Sequence, residues 1–166
     1  MPLHLTEAEL GQLIAERKPL VEDYQQRVIL KSKRGHRERE LDLTGANGSQ
    51  FRLILRQSDL SPLDFSAILA YLPPTTNQIF RLRRHNGKSH EHTNMIEGNR
   101  FYDFHIHIAT ERYQQFGMEK EDGYAQPTDR FSDFHGALRC LLNDCSFLIP
   151  ESAQGDLFEG VPSNDH

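Results

Sequence analysis

The chain has 166 residues, 37% of them hydrophobic and 26% charged, enough for one domain with a modest core and too few for two. Its apolar runs are only a few residues long, which excludes a spanning helix of roughly 20 apolar residues, and Met1-Pro2-Leu3-His4-Leu5 lacks the basic-then-apolar order of a secretory signal, so a cytoplasmic protein is expected. The net charge of −5 is uneven: residues 25–100 carry 13 Lys/Arg against 7 Asp/Glu and the rest 6 against 17, which reads either as a basic middle able to meet a polyanion or as an ordinary solvated sheet with acidic ends.

Residues 6–18 begin as a helix. Thr6 and Glu9 stand in capping-box positions, Leu5 and Leu10 form a staple, and Leu10, Leu13 and Ile14 give the apolar stripe, with Pro19 at the end. Arg27 to Lys33, with Val28-Ile29-Leu30, predicts a strand, and Arg37 to Leu43 its antiparallel partner. Thr44 to Gly48 is a turn cluster. Phe51, Leu53 and Leu55 alternate with Arg52, Ile54 and Arg56 in a half-buried strand. Phe65 to Leu72 is apolar and stops at Pro73-Pro74, and Ile79 to Arg84 alternates up to Asn86-Gly87. Residues 85–100 predict a polar loop carrying His90 and His92.

Arg100 to Thr110 is the most legible strand. Its period of two sends Tyr102, Phe104, Ile106 and Ile108 to the core and Asp103, His105 and His107 to the opposite face. A short helix over 110–116, a polar loop over 118–130 and a last helix over 131–145 follow. That helix would be capped by Ser132 or Asp129 and would bury Phe131, Phe134, Leu138, Leu141, Leu142 and Cys145. Cys140 and Cys145 are five apart on it and are expected to stay unbridged. The expected fold is α+β: a mainly antiparallel sheet of about five or six strands, with an N-terminal and a C-terminal helix on one face. Residues 1–150 form the single domain, and 151–166 an acidic tail expected to be disordered.

Five of the nine histidines fall between His85 and His107. His105 and His107, two apart on a strand, lie about 7 Å apart on one face, where they can share a metal or flank one scissile bond. Asp103 on the same face could orient them. His90-Glu91-His92 followed by Glu97 resembles part of the first cupin motif, but no second motif of that type follows; a simpler metal site from His90, His92, His105 and His107 is the alternative. Arg81, Arg83, Arg84, Lys88 and Arg100 bracket the loop, with Arg81 and Arg83 on one strand face, as phosphate binders would be. Tyr113 or Tyr124 could stack on a base or donate a proton. The chain has no G-x-S-x-G, P-loop, G-x-G-x-x-G, H-E-x-x-H or four-cysteine pattern. Each of these features also has a plain structural reading as polar residues on an exposed strand or loop.

The stretch Arg83-Arg84-His85-Asn86-Gly87, then His90 and His92, then Leu141-Leu142-Asn143-Asp144, resembles the TumE-like toxin components of bacterial toxin–antitoxin pairs. The resemblance covers at most residues 80–146 and implies a cytoplasmic bacterial toxin acting on RNA and neutralised by a partner protein, with His90 and His92 as the positions carried over. The reading is a metal-independent ribonuclease without cofactor. His105 and His107 would be the acid–base pair beside Asp103, His90 and His92 would assist, and Arg81, Arg83, Arg84 and Arg100 would hold phosphate. The alternatives are a non-enzymatic protein-binding module (a partner, inhibitor or antitoxin-like protein) and a metalloprotein holding a divalent transition metal through His90, His92, His105 and His107. No membrane contact is expected.

Overall fold

The computed structural model describes residues 3–115 and 121–150. Helix α1 (Glu7–Ala15) starts at a complete capping box: Thr6 Oγ1 accepts from the Glu9 amide at 3.1 Å, and the Glu9 carboxylate accepts from the Thr6 amide at 3.0 Å. It ends earlier than the expected residue 18. The cause is Lys18, whose ammonium is fully buried and donates to the carbonyls of Leu13, Ile14 and Glu16 at the end of α1 and of Cys145 beyond it, at 2.7–3.0 Å. Burial lowers that ammonium's pKa to about 8.

The short strand β1 (Lys18–Pro19) and helix α2 (Tyr24–Arg27) come next. The strand expected over 27–33 is therefore mostly absent. Tyr24 and Val28, four apart, are both buried, so helical spacing wins over the β-branched run, and only β2 (Lys31–Lys33) is extended. Four longer strands follow as expected: β3 (His36–Thr44), β4 (Gln50–Ser58), β5 (Phe65–Tyr71) and β6 (Phe80–Asn86).

The expected strand over 100–110 is two pieces separated by residues 102–104. A small hairpin of β7 (His92–Thr93) and β8 (Arg100–Phe101) pairs with itself, and β9 (His105–Ile108) joins the main sheet. Tyr102 is half exposed rather than buried, whereas Phe104, Ile106 and Ile108 do meet the core. Helix α3 (Glu111–Gln115) precedes β10 (Ala125–Pro127), an unexpected strand within the expected polar loop. Pro127 is tolerated because β10 lies at the sheet edge, where one side of the backbone needs no ladder partner. Helix α4 (Phe134–Asp144) is capped by Asp133, accepting from the Gly136 amide at 2.7 Å, not by Ser132 or Asp129. Strand β11 (Phe147–Leu148) then pairs in parallel with β1.

The main sheet has seven strands, one or two more than expected, all antiparallel, in the order β10-β9-β6-β5-β4-β3-β2. Leu10 and Leu13 of α1 and Phe134, Leu138, Leu141 and Leu142 of α4 share one core with Phe51, Leu53, Phe65 and Leu69 of the sheet. This is the α+β arrangement read from the sequence. Cys140 and Cys145 are free thiols. Among the described residues no helix is long and apolar enough to cross a membrane. The acidic tail over 151–166 lies outside the described residues.

One irregularity decides which residues meet at the site. Between Leu69 and Ala70 the β5–β6 register shifts, so that Leu82 opposes no residue. This bulge resets the alternation of β6. Arg83 and His85 turn toward α4, while Arg81, Arg84 and Asn86 face the other way. Across the next ladder, Arg84 pairs with His107 and Asn86 with His105.

Candidate metal centre

His105 and His107 project from β9 on the face away from α4, as the strand period predicted. They do not open onto a cleft. His105 is 0% and His107 3% exposed, because the β7–β8 hairpin folds over them. The hairpin leaves β6 at Gly87, where any Cβ would collide with the Leu63 carbonyl, so the chain turns there only with glycine. It delivers His92 onto the strand pair. The ring centres of His92 and His105 are 5.5 Å apart, those of His92 and His107 4.8 Å, and those of His105 and His107 4.9 Å. One nitrogen from each ring lies within 4.8 Å of the other two.

The protons on these rings follow from their partners. His105 Nδ1 lies 2.7 Å from the Asp103 carbonyl and His107 Nδ1 2.7 Å from the Asp122 carbonyl. A carbonyl oxygen only accepts, so both Nδ1 atoms carry hydrogen and both Nε2 atoms are bare. His92 Nε2 lies 2.9 Å from Asn94 Oδ1. The Asn94 amide cannot be flipped, since its Oδ1 accepts from the Ala125 amide and its Nδ2 donates to the Ala125 carbonyl, both at 2.8 Å. His92 is therefore protonated on Nε2 and bare on Nδ1. One nitrogen of each ring lies near the other two, and each ring has one nitrogen tied to an oxygen acceptor, which leaves its second nitrogen to ligate. That is how metal-ligating histidines are held.

Burial keeps the His105 and His107 rings neutral. Burial is the main reason that the His105 pKa falls to about 4 and the His107 pKa to about 2. The Arg84 guanidinium and the neighbouring imidazoles push His107 further down. Arg84 and Arg81 flank Asp122, with Nε atoms 3.2 and 3.5 Å from its fully buried carboxylate. The pair thus fixes the segment whose carbonyl holds His107.

Other residues singled out in the sequence lie elsewhere. Asp103 orients His105 through its main-chain carbonyl, not its carboxylate, and its side chain is exposed. His90 is exposed, bonded to Ser89 Oγ, with its ring centre 6.1 Å from that of His105, so it borders the cluster without joining it. Glu97 is bound by Tyr113 and Arg112, not by the imidazoles. Tyr113 is buried and anchors the hairpin through Glu97 and the Ile96 amide, while Tyr124 lies under the Arg112 guanidinium. The expected phosphate stripe is split by the bulge. Arg81 and Arg84 are paired with Asp122, Arg83 approaches Asp144 at 3.9 Å on the opposite face, and Arg100 stands exposed on β8. Lys88 sits over the Tyr102 ring.

His85, Cys140 and Asp144 form a second group of potential ligands on the α4 side. Asp144 is already held bidentately by Arg130 at 2.7 and 2.8 Å with Arg83 nearby, so a cation would meet two guanidinium groups. Asn86, Asn94 and Asp122, which support the first cluster, were missed in the sequence. The only signal for them was His92-x-Asn94, a spacing too common to stand out. No protein-family model matches this chain, and no curated protein or solved structure matches it.

Proposed function

We propose that this protein binds a divalent late first-row transition metal, zinc or a neighbour, through His92 Nδ1, His105 Nε2 and His107 Nε2. One observation carries the reading: three imidazoles each bring a nitrogen within 4.8 Å of the other two, and each has one nitrogen locked to an oxygen acceptor, which assigns its second nitrogen to the ion. Three imidazoles each holding a zinc at 2.0–2.1 Å with tetrahedral angles place their ring centres about 5 Å apart, and the observed separations are 4.8–5.5 Å. The buried, neutral rings of His105 and His107 lose no proton on binding, which favours the metal at neutral pH. Imidazole ligands suit zinc, copper, nickel and iron rather than magnesium or calcium.

Three protein ligands, with His90 outside the set, leave a coordination position for something else, the pattern of reactive rather than purely structural sites. A dication with an open position supplies Lewis acidity. The alternative acid–base pair of a metal-independent ribonuclease has weaker support. Both rings are sealed, held neutral and backed by main-chain carbonyls, and the arginines nearest them already have carboxylate partners.

The test is equilibrium dialysis of untagged, chelator-stripped protein against zinc, followed by elemental analysis. One equivalent per chain is expected, falling to background in His105→Ala and His107→Ala. Substoichiometric zinc in the wild type, or unchanged binding in both variants, refutes the reading.

A further inference from the structure

Asn86 is the last residue of β6 and the ladder partner of His105, and it is 6% exposed. Its Oδ1 accepts from Ser66 Oγ, its neighbour across β5, at 2.8 Å. That bond turns the amide so that its two donor hydrogens, on Nδ2, face the imidazole cluster. There, among the described residues, Nδ2 meets only His105 Nε2, at 3.5 Å. This is well beyond the usual N–H···acceptor length of about 2.9–3.0 Å. A buried donor is thus aimed at the cluster without a good acceptor, beside a nitrogen whose lone pair the metal reading assigns to the ion.

With a dication bound, three neutral imidazoles leave two positive charges, and the nearby Asp122 carboxylate is already matched by Arg81 and Arg84. The roof is close: Phe101 lies 5.5 Å from His92 and 5.6 Å from His105, ring centre to ring centre. A small anion with oxygen donors fits this setting. A carboxylate fits best, since one oxygen can take the open coordination position while the other accepts from the amide.

We infer that Asn86, held by Ser66, is a ligand-binding residue that recognises a small carboxylate at the open position of the His92–His105–His107 centre. The inference rests on the metal reading, and its test separates the two. Cobalt(II) is bound to the full chain and its visible absorption is followed during titration with sodium acetate at constant ionic strength, with acetamide as the neutral control. Acetate is expected to shift the spectrum saturably and acetamide to leave it unchanged. At saturating cobalt, Asn86→Leu should weaken acetate about tenfold to a hundredfold, the range for a hydrogen bond to a charged group. Ser66→Ala, which leaves the amide in place but free to turn, should weaken acetate less and covers the case in which Asn86→Leu does not fold.

Tight cobalt binding with no acetate response, or with equal acetate affinity in the wild type and these variants, overturns the inference and leaves the metal centre standing. An acetate response that emerges only in His90→Ala also overturns it, by giving the open position to His90. Failure of the wild type to bind cobalt removes the metal reading and this inference with it.

Discussion

Asn94 offers the sharpest test of how the imidazoles are held. The residue is 1% exposed and spends its amide on four contacts: both main-chain groups of Ala125, Asn99 Oδ1, and His92 Nε2. Replacing it by alanine strands the amide and carbonyl of Ala125, itself 1% exposed. Each stranded buried group costs about 1–3 kcal/mol, so Asn94→Ala should destabilise the metal-free protein by roughly 2–6 kcal/mol. Losing the partner that fixes a ligand's tautomer typically costs about 10–100-fold in metal affinity. Asn94→Asp separates the two effects. It keeps acceptors for the Ala125 amide and for His92 Nε2–H but sets a buried carboxylate oxygen against the Ala125 carbonyl and Asn99 Oδ1, so it should retain metal affinity to within about threefold while destabilising the protein at least as much as Asn94→Ala. Urea unfolding of the metal-free proteins and zinc competition against a chromophoric chelator read the two quantities. If Asn94→Ala unfolds more easily yet binds zinc like the wild type, the argument from locked tautomers is wrong.

Three further outcomes are expected. Among the described residues no hydrogen-bond partner meets either ring nitrogen of the buried His85, and burial lowers its pKa to about 4. The unfolded chain therefore takes up a proton on this residue as pH falls from about 6.5 to 4 while the folded chain does not; stability is full above that window and lost through it. At 1.36 kcal/mol per pKa unit the loss is about 3 kcal/mol, and His85→Leu should flatten the acid limb of a urea-midpoint profile by that amount; an unchanged limb contradicts the burial argument. Lys18→Met removes the donor that serves four carbonyls at the junction of α1 and α4 and should lower stability by at least about 2 kcal/mol, checked by the urea midpoint, with zinc stoichiometry unchanged. Labelled RNA incubated with the protein in EDTA should stay intact on a denaturing gel; cleavage there that is lost in His105→Ala would restore the acid–base reading.

The sequence made the site's strand legible because His105 and His107 alternate with Ile106 and Ile108, and a strand with one buried face has to obey that period. It also made His92 a candidate ligand with them, since the loop runs straight into the strand. What it could not convey was which way the hairpin folds. Asn94 decides that by bonding to Ala125, 31 residues away, and a contact at such separation leaves no local pattern. Arg81 and Arg83 were read on one face because strict alternation demands it; a single unpaired residue, Leu82, reversed the assignment of Arg83. No local pattern marks Lys18, since the approach of Cys145, 127 residues away, is what makes it the common cap of two helices. The capping box at Thr6 and the apolar stripe of α4 were legible because their partners lie within four residues.

Anomalous diffraction at the zinc edge, from crystals of protein loaded with one equivalent of zinc, measures the central claim directly. The account predicts one strong peak about 2.0–2.1 Å from His92 Nδ1, His105 Nε2 and His107 Nε2. A peak at His85, Cys140 and Asp144 instead, or zinc found only on exposed histidines such as His90, would contradict it.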